Sequence, residues 1–427
     1  MIFIILFLGG VNFLLEALMM AYFFRHYVFT LVVSRRATKA QEDITDDRYQ
    51  PFVSILVPAH DEENVIGLLL QRMTELSYPR DKLQLIIIDD ASSDKTGQIA
   101  EDFSRQYTFM KVLHRDKTIG GKGKPSALNH GLKHAIGEIV ILFDADYYPQ
   151  REIVEKLVKK FVDLSVCAVQ GRPVVRNEGQ NIVTRLASLE RIGGNRADQE
   201  ARDILRLIPQ FGGTIGAFRK SFVEEVGGFD ESMLTEDTDL TFQIYTAGFK
   251  VRYNGDAECY EEAVDNWKAY WRQRHRWAQG HMQVCFKYAF KVLRSKKLTL
   301  REKIDGLLLL HVYFMPVLTL ISFLISAFLI LSQSSHLFYA AWLFVPLSVY
   351  GLAGNLAPFF EIGIAAYLDG RTRLQFLVPL LLFAYLLNTL ICTKALLDLL
   401  TAKLLRKNHI DWDKTFHLGN GNRYIGN

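Results

Sequence analysis

Cysteine is scarce and scattered: Cys167, Cys259, Cys285 and Cys392 are the four in 427 residues, and no two form a CxxC pair. That spacing supplies no zinc ligand set and reads as reduced thiols, each a small buried apolar side chain. No basic patch with interleaved aromatics argues for a nucleic-acid partner, and a net charge of +4 selects no partner by itself. Internal repeats and low-complexity segments are missing too. The apolar start has neither a basic n-region nor a small-residue cleavage site, so it reads as a retained anchor and not a signal peptide. The glycine-rich GGKGK at 120–124 is not the GxxxxGK[ST] phosphate loop. No cyclic-nucleotide-sensing domain of useful length follows the last apolar run.

Apolar residues are plentiful but unevenly placed. Residues 1–24, 306–332, 337–360 and 374–400 are nearly unbroken apolar runs, whereas 51–288 alternates like a soluble domain. Runs of eighteen or more are what a bilayer crossing needs. Glu16 inside the first run is expensive in hydrocarbon unless it is paired or interfacial. Arg25, Arg35, Arg36 and Lys39 follow that run, and the positive-inside bias puts the next domain in the cytoplasm. Counting one amino-terminal and three carboxyl-terminal spans would leave the tail outside; an interfacial piece around 354–370, which holds Glu361 and Asp369, or a split of the last run, would reverse that.

The soluble stretch predicts an α/β fold. Strands are expected at 52–58, 83–89, 111–114 and 139–143, with helices at 63–76, 96–107 and 125–135 between them. That alternation means a parallel sheet covered on both faces, and ligands of such sheets sit beyond the carboxyl ends of the strands. Asp89 and Asp90 end one strand there, and Asp144 and Asp146 another. Further on, helices are expected near 182–203, from 220, at 240–247 and at 267–279, and a basic surface helix at 287–303 that would lie on an anionic leaflet.

Several short motifs carry chemistry, each beside a plainer alternative. Asp144-Ala145-Asp146 leaves a buried strand with two carboxylates that can face one site, which suits a hard cation bridging diphosphate oxygens. In DDASSDKT (89–96), Ser93 or Asp94 caps a helix, while a strand-tip carboxylate stays free for a base or ribose. Lysines of GGKGK, placed between two acidic strand ends, balance phosphate charge. In Thr235-Glu236-Asp237 a carboxylate can deprotonate an attacking hydroxyl; the alternative is a capping box for the following helix. Gln273, Arg276 and Trp277 of QRHRW share one helix face. An arginine there neutralises a leaving diphosphate and a tryptophan offers a face to a sugar; otherwise they form an interfacial Arg/Trp belt.

In this order the motifs closely resemble the processive, membrane-integrated members of family 2 of the glycosyltransferases: the cellulose, hyaluronan, chitin-oligosaccharide and poly-N-acetylglucosamine synthases. The likeness runs from about Val53 to Gly280 and is specific as a combination. It implies a GT-A-type, Rossmann-like cytoplasmic domain inserted between transmembrane helices. The expected division is an anchor at 1–36, the GT-A domain at 51–284, an interfacial amphipathic helix at 285–305, membrane helices at 306–402 and a cytoplasmic tail at 403–427.

It also implies site roles. Asp90 would read uracil, with Pro58, His60 and Glu62 of PAHDE beside the nucleoside and Lys124 of KPSALNHG near the nucleotide. Asp144 and Asp146 would hold Mg²⁺ or Mn²⁺ through the diphosphate. Asp237 would be the base, and Gln273, Arg276 and Trp277 would bind pyrophosphate and acceptor. The short WDKT at 412–415 resembles a tail motif of bacterial members that lies near the active-site mouth. The function implied first is an inverting polymerase of a UDP-sugar, UDP-GlcNAc or UDP-glucose, in a bacterial inner membrane. Its partners would be the donor, a growing polysaccharide, the bilayer and accessory envelope subunits. A single-sugar transfer to a lipid carrier and an inactive export scaffold are the alternatives.

Overall fold

The computed structural model describes residues 2–36, 46, 48–332 and 341–405. The 412–415 motif lies outside them. In chain order the helices and strands are α1 (Ile2–Arg36), β1 (Val53–Ala59), α2 (Ile66–Met73), β2 (Leu83–Asp90), α3 (Thr96–Ser104), β3 (Met110–Arg115), α4 (Lys124–Leu132) and β4 (Ile139–Leu142). There follow β5 (Tyr148–Pro149), α5 (Ile153–Val158), β6 (Val166–Val175), α6 (Ile182–Ile192), α7 (Glu200–Ile204), β7 (Gly216–Arg219), α8 (Lys220–Glu225), α9 (Glu236–Ala247) and β8 (Lys250–Glu261). The carboxyl-terminal part holds α10 (Trp267–Arg294), α11 (Leu300–Leu310), α12 (Met315–Leu331), α13 (Ala341–Leu368) and α14 (Leu381–Leu404).

The strands form one sheet in the order β3-β2-β1-β4-β7-β6-β8-β5. β3, β2, β1 and β4 are parallel neighbours, as the alternation predicts. Leu85, Ile86, Ile87 and Ile88 of β2 are all fully buried, because helices cover both faces of a parallel sheet. Alternate residues go to opposite faces. Ile55, Val57 and Ile87 meet Leu69, Leu70 and Met73 of α2, while Leu56, Ile86 and Ile88 meet Leu128 and Leu132 of α4. Each such side chain contributes about 1.5–3 kcal/mol on burial.

Past β4 the sheet is mixed. β7 is antiparallel to both β4 and β6, and β5 is antiparallel to β8. The chain between β6 and β7 does not cross back over the sheet as a βαβ unit does; it runs through α6, a π-helical stretch Gly193–Gln199 and α7, which pack toward α1 and α13. Without a crossover, the strand that follows re-enters antiparallel.

The basic stretch at 287–303, read as one surface helix, is the end of α10 and the start of α11. Thr299 and Glu302 form a reciprocal capping box that starts α11 afresh. By length and composition, Phe3–Arg35 and Thr372–Leu404 can cross a membrane, and Leu300–Leu310 with Met315–Leu329, bent by 69°, makes a third if taken as one span. Glu16 is paired: Asn12 donates to it at 2.9 Å and is itself tied to Ser322 and Ser326 of α12. The segment after α13 also grips the domain that carries the sheet. Arg172 of β6 pairs with Asp369 just after α13, and Arg371 pairs with Glu178.

Candidate active site

A cavity of about 1850 Å³ opens at the carboxyl ends of β1, β2 and β4 and is lined by each residue to which the resemblance gives a nucleotide, metal, base or acceptor role, the undescribed 412–415 motif apart. At one end lie Pro58, His60, Glu62 and Asp90. The loops after β1 and β2 are laced together: Asp61, at φ 52°, accepts from the Ser93 amide at 2.6 Å, and the Glu62 amide donates to Thr96 at 2.7 Å. His60 Nδ1 meets the Asp90 carbonyl at 2.7 Å. Asp89, one residue earlier, turns away to His114 at 2.8 Å and serves the fold. Asp94 stands one residue before Lys95, the N-cap of the next helix, and accepts from the Thr96 amide at 2.9 Å.

Asp90 is buried and ion-paired to buried Arg115, whose Nη1 donates at 2.5 Å; its Nη2 holds Ser126 at 2.8 Å. Sequence reading missed Arg115. It ends β3 level with Asp90, and that parallel register, which the sequence does not display, makes the pair.

Asp144 and Asp146 leave β4 in a tight turn, with the Tyr147 amide donating to the Asp144 carbonyl at 3.3 Å, not in the extended form the spacing suggested. Lys124, first residue of α4, bridges Asp144 at 2.5 Å and the Gly213 carbonyl at 2.9 Å. Burial works against the lysine charge, but Asp144, Glu236 and Asp237 together hold its pKa above the ordinary value.

Asp237 lies in the first turn of α9 and accepts from the Thr238 amide at 2.6 Å, so it stabilises its own helix start as well as lining the cavity. Burial raises its pKa. Burial also pushes neighbouring Glu236 up to about 7, with Lys124 opposing and Asp237 adding to the rise. α10 approaches this loop closely at Gly280, where a Cβ would stand 2.4 Å from Thr235 Cγ2. Gln273, Arg276 and Trp277 of α10 complete the wall, with His281 one turn on. Burial lowers His281 to about 4, so its imidazole is neutral beside Thr238 at 3.4 Å.

Glu261, Arg191 and Tyr147 also line the wall and were not foreseen. Glu261 ends β8 just as Asp90 ends β2, but residues 250–261 alternate too weakly to announce a strand. Apolar side chains from the carboxyl-terminal part also line the cavity: Phe286 of α10, Leu309 of α11, Val312 after it, and Leu399 and Leu400 of α14.

An open α/β sheet with acidic strand tips around one deep cavity defines a sugar-nucleotide-type transferase fold, the GT-A type. The chain matches the family described as glycosyltransferase like family 2 over residues 50–280, more than half its length, and belongs to that family. A Beta-monoglucosyldiacylglycerol synthase of Trichormus variabilis is 31% identical over 87% of this chain and 77% of its own. A probable glycosyltransferase, YdaM of Bacillus subtilis, is 37% identical over 64% of each chain, so just under two thirds of that relative is spanned. A poly-beta-1,6-N-acetyl-D-glucosamine synthase of Staphylococcus epidermidis is 28% identical over 58% of this chain and 59% of its own. Among solved structures, the mannosyltransferase PcManGT of Pyrobaculum calidifontis, in complex with GDP-Man and Mn²⁺, shares the fold. Its TM-score is 0.57 at 23% identity, over 81% of this chain and 99% of that one. The protein is therefore a hexosyltransferase of family 2 with apolar helices at both ends of its catalytic domain.

Proposed function

We propose that the enzyme transfers one hexose from a UDP-sugar, UDP-glucose or UDP-GlcNAc, to a hydroxyl of a membrane lipid. The observation that carries this is the make-up of the cavity wall: besides the buried carboxylate Asp90 it includes the apolar side chains Leu309, Val312, Leu399 and Leu400 of the carboxyl-terminal helices and the turn after α11. A lipid acceptor's acyl chains gain from such side chains, whereas a growing hydrophilic chain does not. The diacylglycerol relative aligns through the membrane helices as well as the catalytic domain, which supports the same acceptor.

In this reading Asp90 and Arg115 hold the uracil edge, and Pro58, His60 and Glu62 flank the nucleoside. The donor set of Asp144 and Asp146 is hard oxygen on a tight turn, which fits Mg²⁺ or Mn²⁺. Such an ion, when bound, offsets the charge of the diphosphate. Lys124 and Arg276 add positive charge at the leaving group, and Gln273 orients it. The acceptor hydroxyl attacks the anomeric carbon, Asp237 takes its proton, and the bond to the diphosphate breaks with inversion. Trp277 faces the acceptor. The enzyme sits in the bacterial inner membrane as a multi-pass protein, its catalytic domain on the cytoplasmic side, as the basic residues that follow the first apolar run in sequence predict. The divisions proposed are 1–36, 51–284, 285–305, 306–402 and 403–427, with 285–305 made of the end of α10 and the start of α11 in place of one helix.

A polymerising synthase is the second reading. The QRHRW helix favours it, as does the poly-N-acetylglucosamine synthase relative, though over a shorter stretch. Incubating membranes with labelled UDP-sugars and diacylglycerol, then sizing the product, separates the two. A chloroform-soluble monoglycosyl lipid is expected; a water-soluble polymer as sole product would overturn the lipid reading.

A further inference from the structure

Trp277 does not stand alone on α10. The Arg274 guanidinium lies 4.3 Å from its ring centroid and that of Arg191, at the end of α6, lies 5.1 Å away. Both are within cation–π range. Two like charges on one ring repel, and each is neutralised by its own carboxylate. Arg191 makes a two-pronged contact with buried Glu261 at 2.6 and 2.9 Å. Arg274 donates to Glu190 at 2.6 Å, and Glu190 also accepts from Tyr270 at 2.7 Å. Asn388 of α14 donates to that tyrosine at 3.0 Å. On the other side, Glu261 accepts from the Tyr147 hydroxyl at 2.5 Å, and Tyr147 directly follows Asp146.

We propose that Arg191 and Arg274 are positioning residues that fix the ring of Trp277, and that Glu261 and Tyr147 tie that ring to the turn carrying Asp144 and Asp146. The inference rests on the acceptor role given to Trp277 above. Its consequence is a shared rigid support: the donor-side turn and the acceptor-side ring keep one register, which the in-line attack requires. Arginine is needed at position 191 in particular, since only a planar fork can grip Glu261 at two points and still cover an aromatic face. Arg191, Glu261, Tyr147 and Trp277 all line the cavity, so the network is part of its wall and not of the distant core.

The test uses full-length enzyme in nanodiscs labelled with 5-fluorotryptophan, the Trp277 resonance being assigned by its loss in Trp277→Phe. Arg191→Met and Arg274→Met should each shift that ¹⁹F resonance and raise the KM for diacylglycerol about tenfold, with the KM for the UDP-sugar moving far less. Arg191→Lys, which keeps the charge without the fork, should fall between. If Arg191→Met does not fold, Tyr147→Phe removes a single hydroxyl from the chain and should move the resonance in the same direction. A resonance that stays in place in the arginine variants overturns the proposal, as does a moved resonance with diacylglycerol KM within about twofold of wild type. A wild-type enzyme inert toward diacylglycerol would instead sink the lipid reading. The unmoved or moved resonance would then still decide whether the arginines hold the ring.

Discussion

Lys124 stands among Asp144, Glu236 and Asp237, so one amine connects the proposed cation-binding turn with the proposed base. Two predictions belong to this scale. Asp237→Asn keeps the side chain's size and removes the proton acceptor, and kcat should fall about 10³-fold while UDP-sugar binding persists. Single-turnover rates alongside equilibrium donor binding would check it, and unchanged turnover would sink the assignment. The second concerns pH. Burial raises the Asp237 pKa, so its protonated, inactive form persists to higher pH than for an ordinary aspartate. The rate should therefore fall as pH drops through that raised value, with the acid limb of kcat/KM above the usual carboxylate range. These acids were legible in sequence because each follows or precedes a strong local pattern. Arg115 and Arg191 were not, since an arginine's partner is chosen by the register of distant strands.

Close packing between elements decides whether those groups are held. Gly280→Ala should favour helix α10 by about 1 kcal/mol in isolation. In the protein its Cβ would press on Thr235 and displace the Glu236–Asp237 loop. The expected outcome is a retained fold with activity lowered about 10²-fold, read by circular dichroism and transfer rate together. Lys287 of α10 reaches Asp230 at 2.8 Å and fully buried Asp239 of α9 at 2.6 Å. Lys287→Met leaves that carboxylate without its cation and should cost about 3 kcal/mol, seen as a lower thermal midpoint. The capping box at Thr299 shows the same dependence on local detail: four residues turn one expected surface helix into two.

At the scale of the molecule, the carboxyl-terminal helices complete the catalytic domain. Leu186, Leu189 and Ile192 of α6 pack on Ala365 and Ala366 of α13, and Arg202 of α7 pairs with Asp305 of α11 at 2.7 Å. Removing the helices would expose an apolar face and leave buried charges unpaired. A fragment of residues 51–284, which also cuts α10, should therefore be insoluble or inactive when expressed alone. A soluble fragment with wild-type donor turnover would show that the soluble domain stands without them.

The sequence by itself determined the alternating α/β half, the apolar ends and the acids Asp89, Asp90, Asp144 and Asp146 at the tips of β2 and β4, because these depend on periodicity and on neighbours a few residues away. It also located Gln273, Arg276 and Trp277 on one helix face. The tertiary structure alone decided that β7 enters antiparallel, that Asp90 is paired to Arg115, and that two guanidiniums approach the Trp277 ring. It decided too that side chains from α10, α11 and α14, far apart in the chain, line one cavity. Such features are set by long-range register and packing, which leave no periodic trace in any one segment.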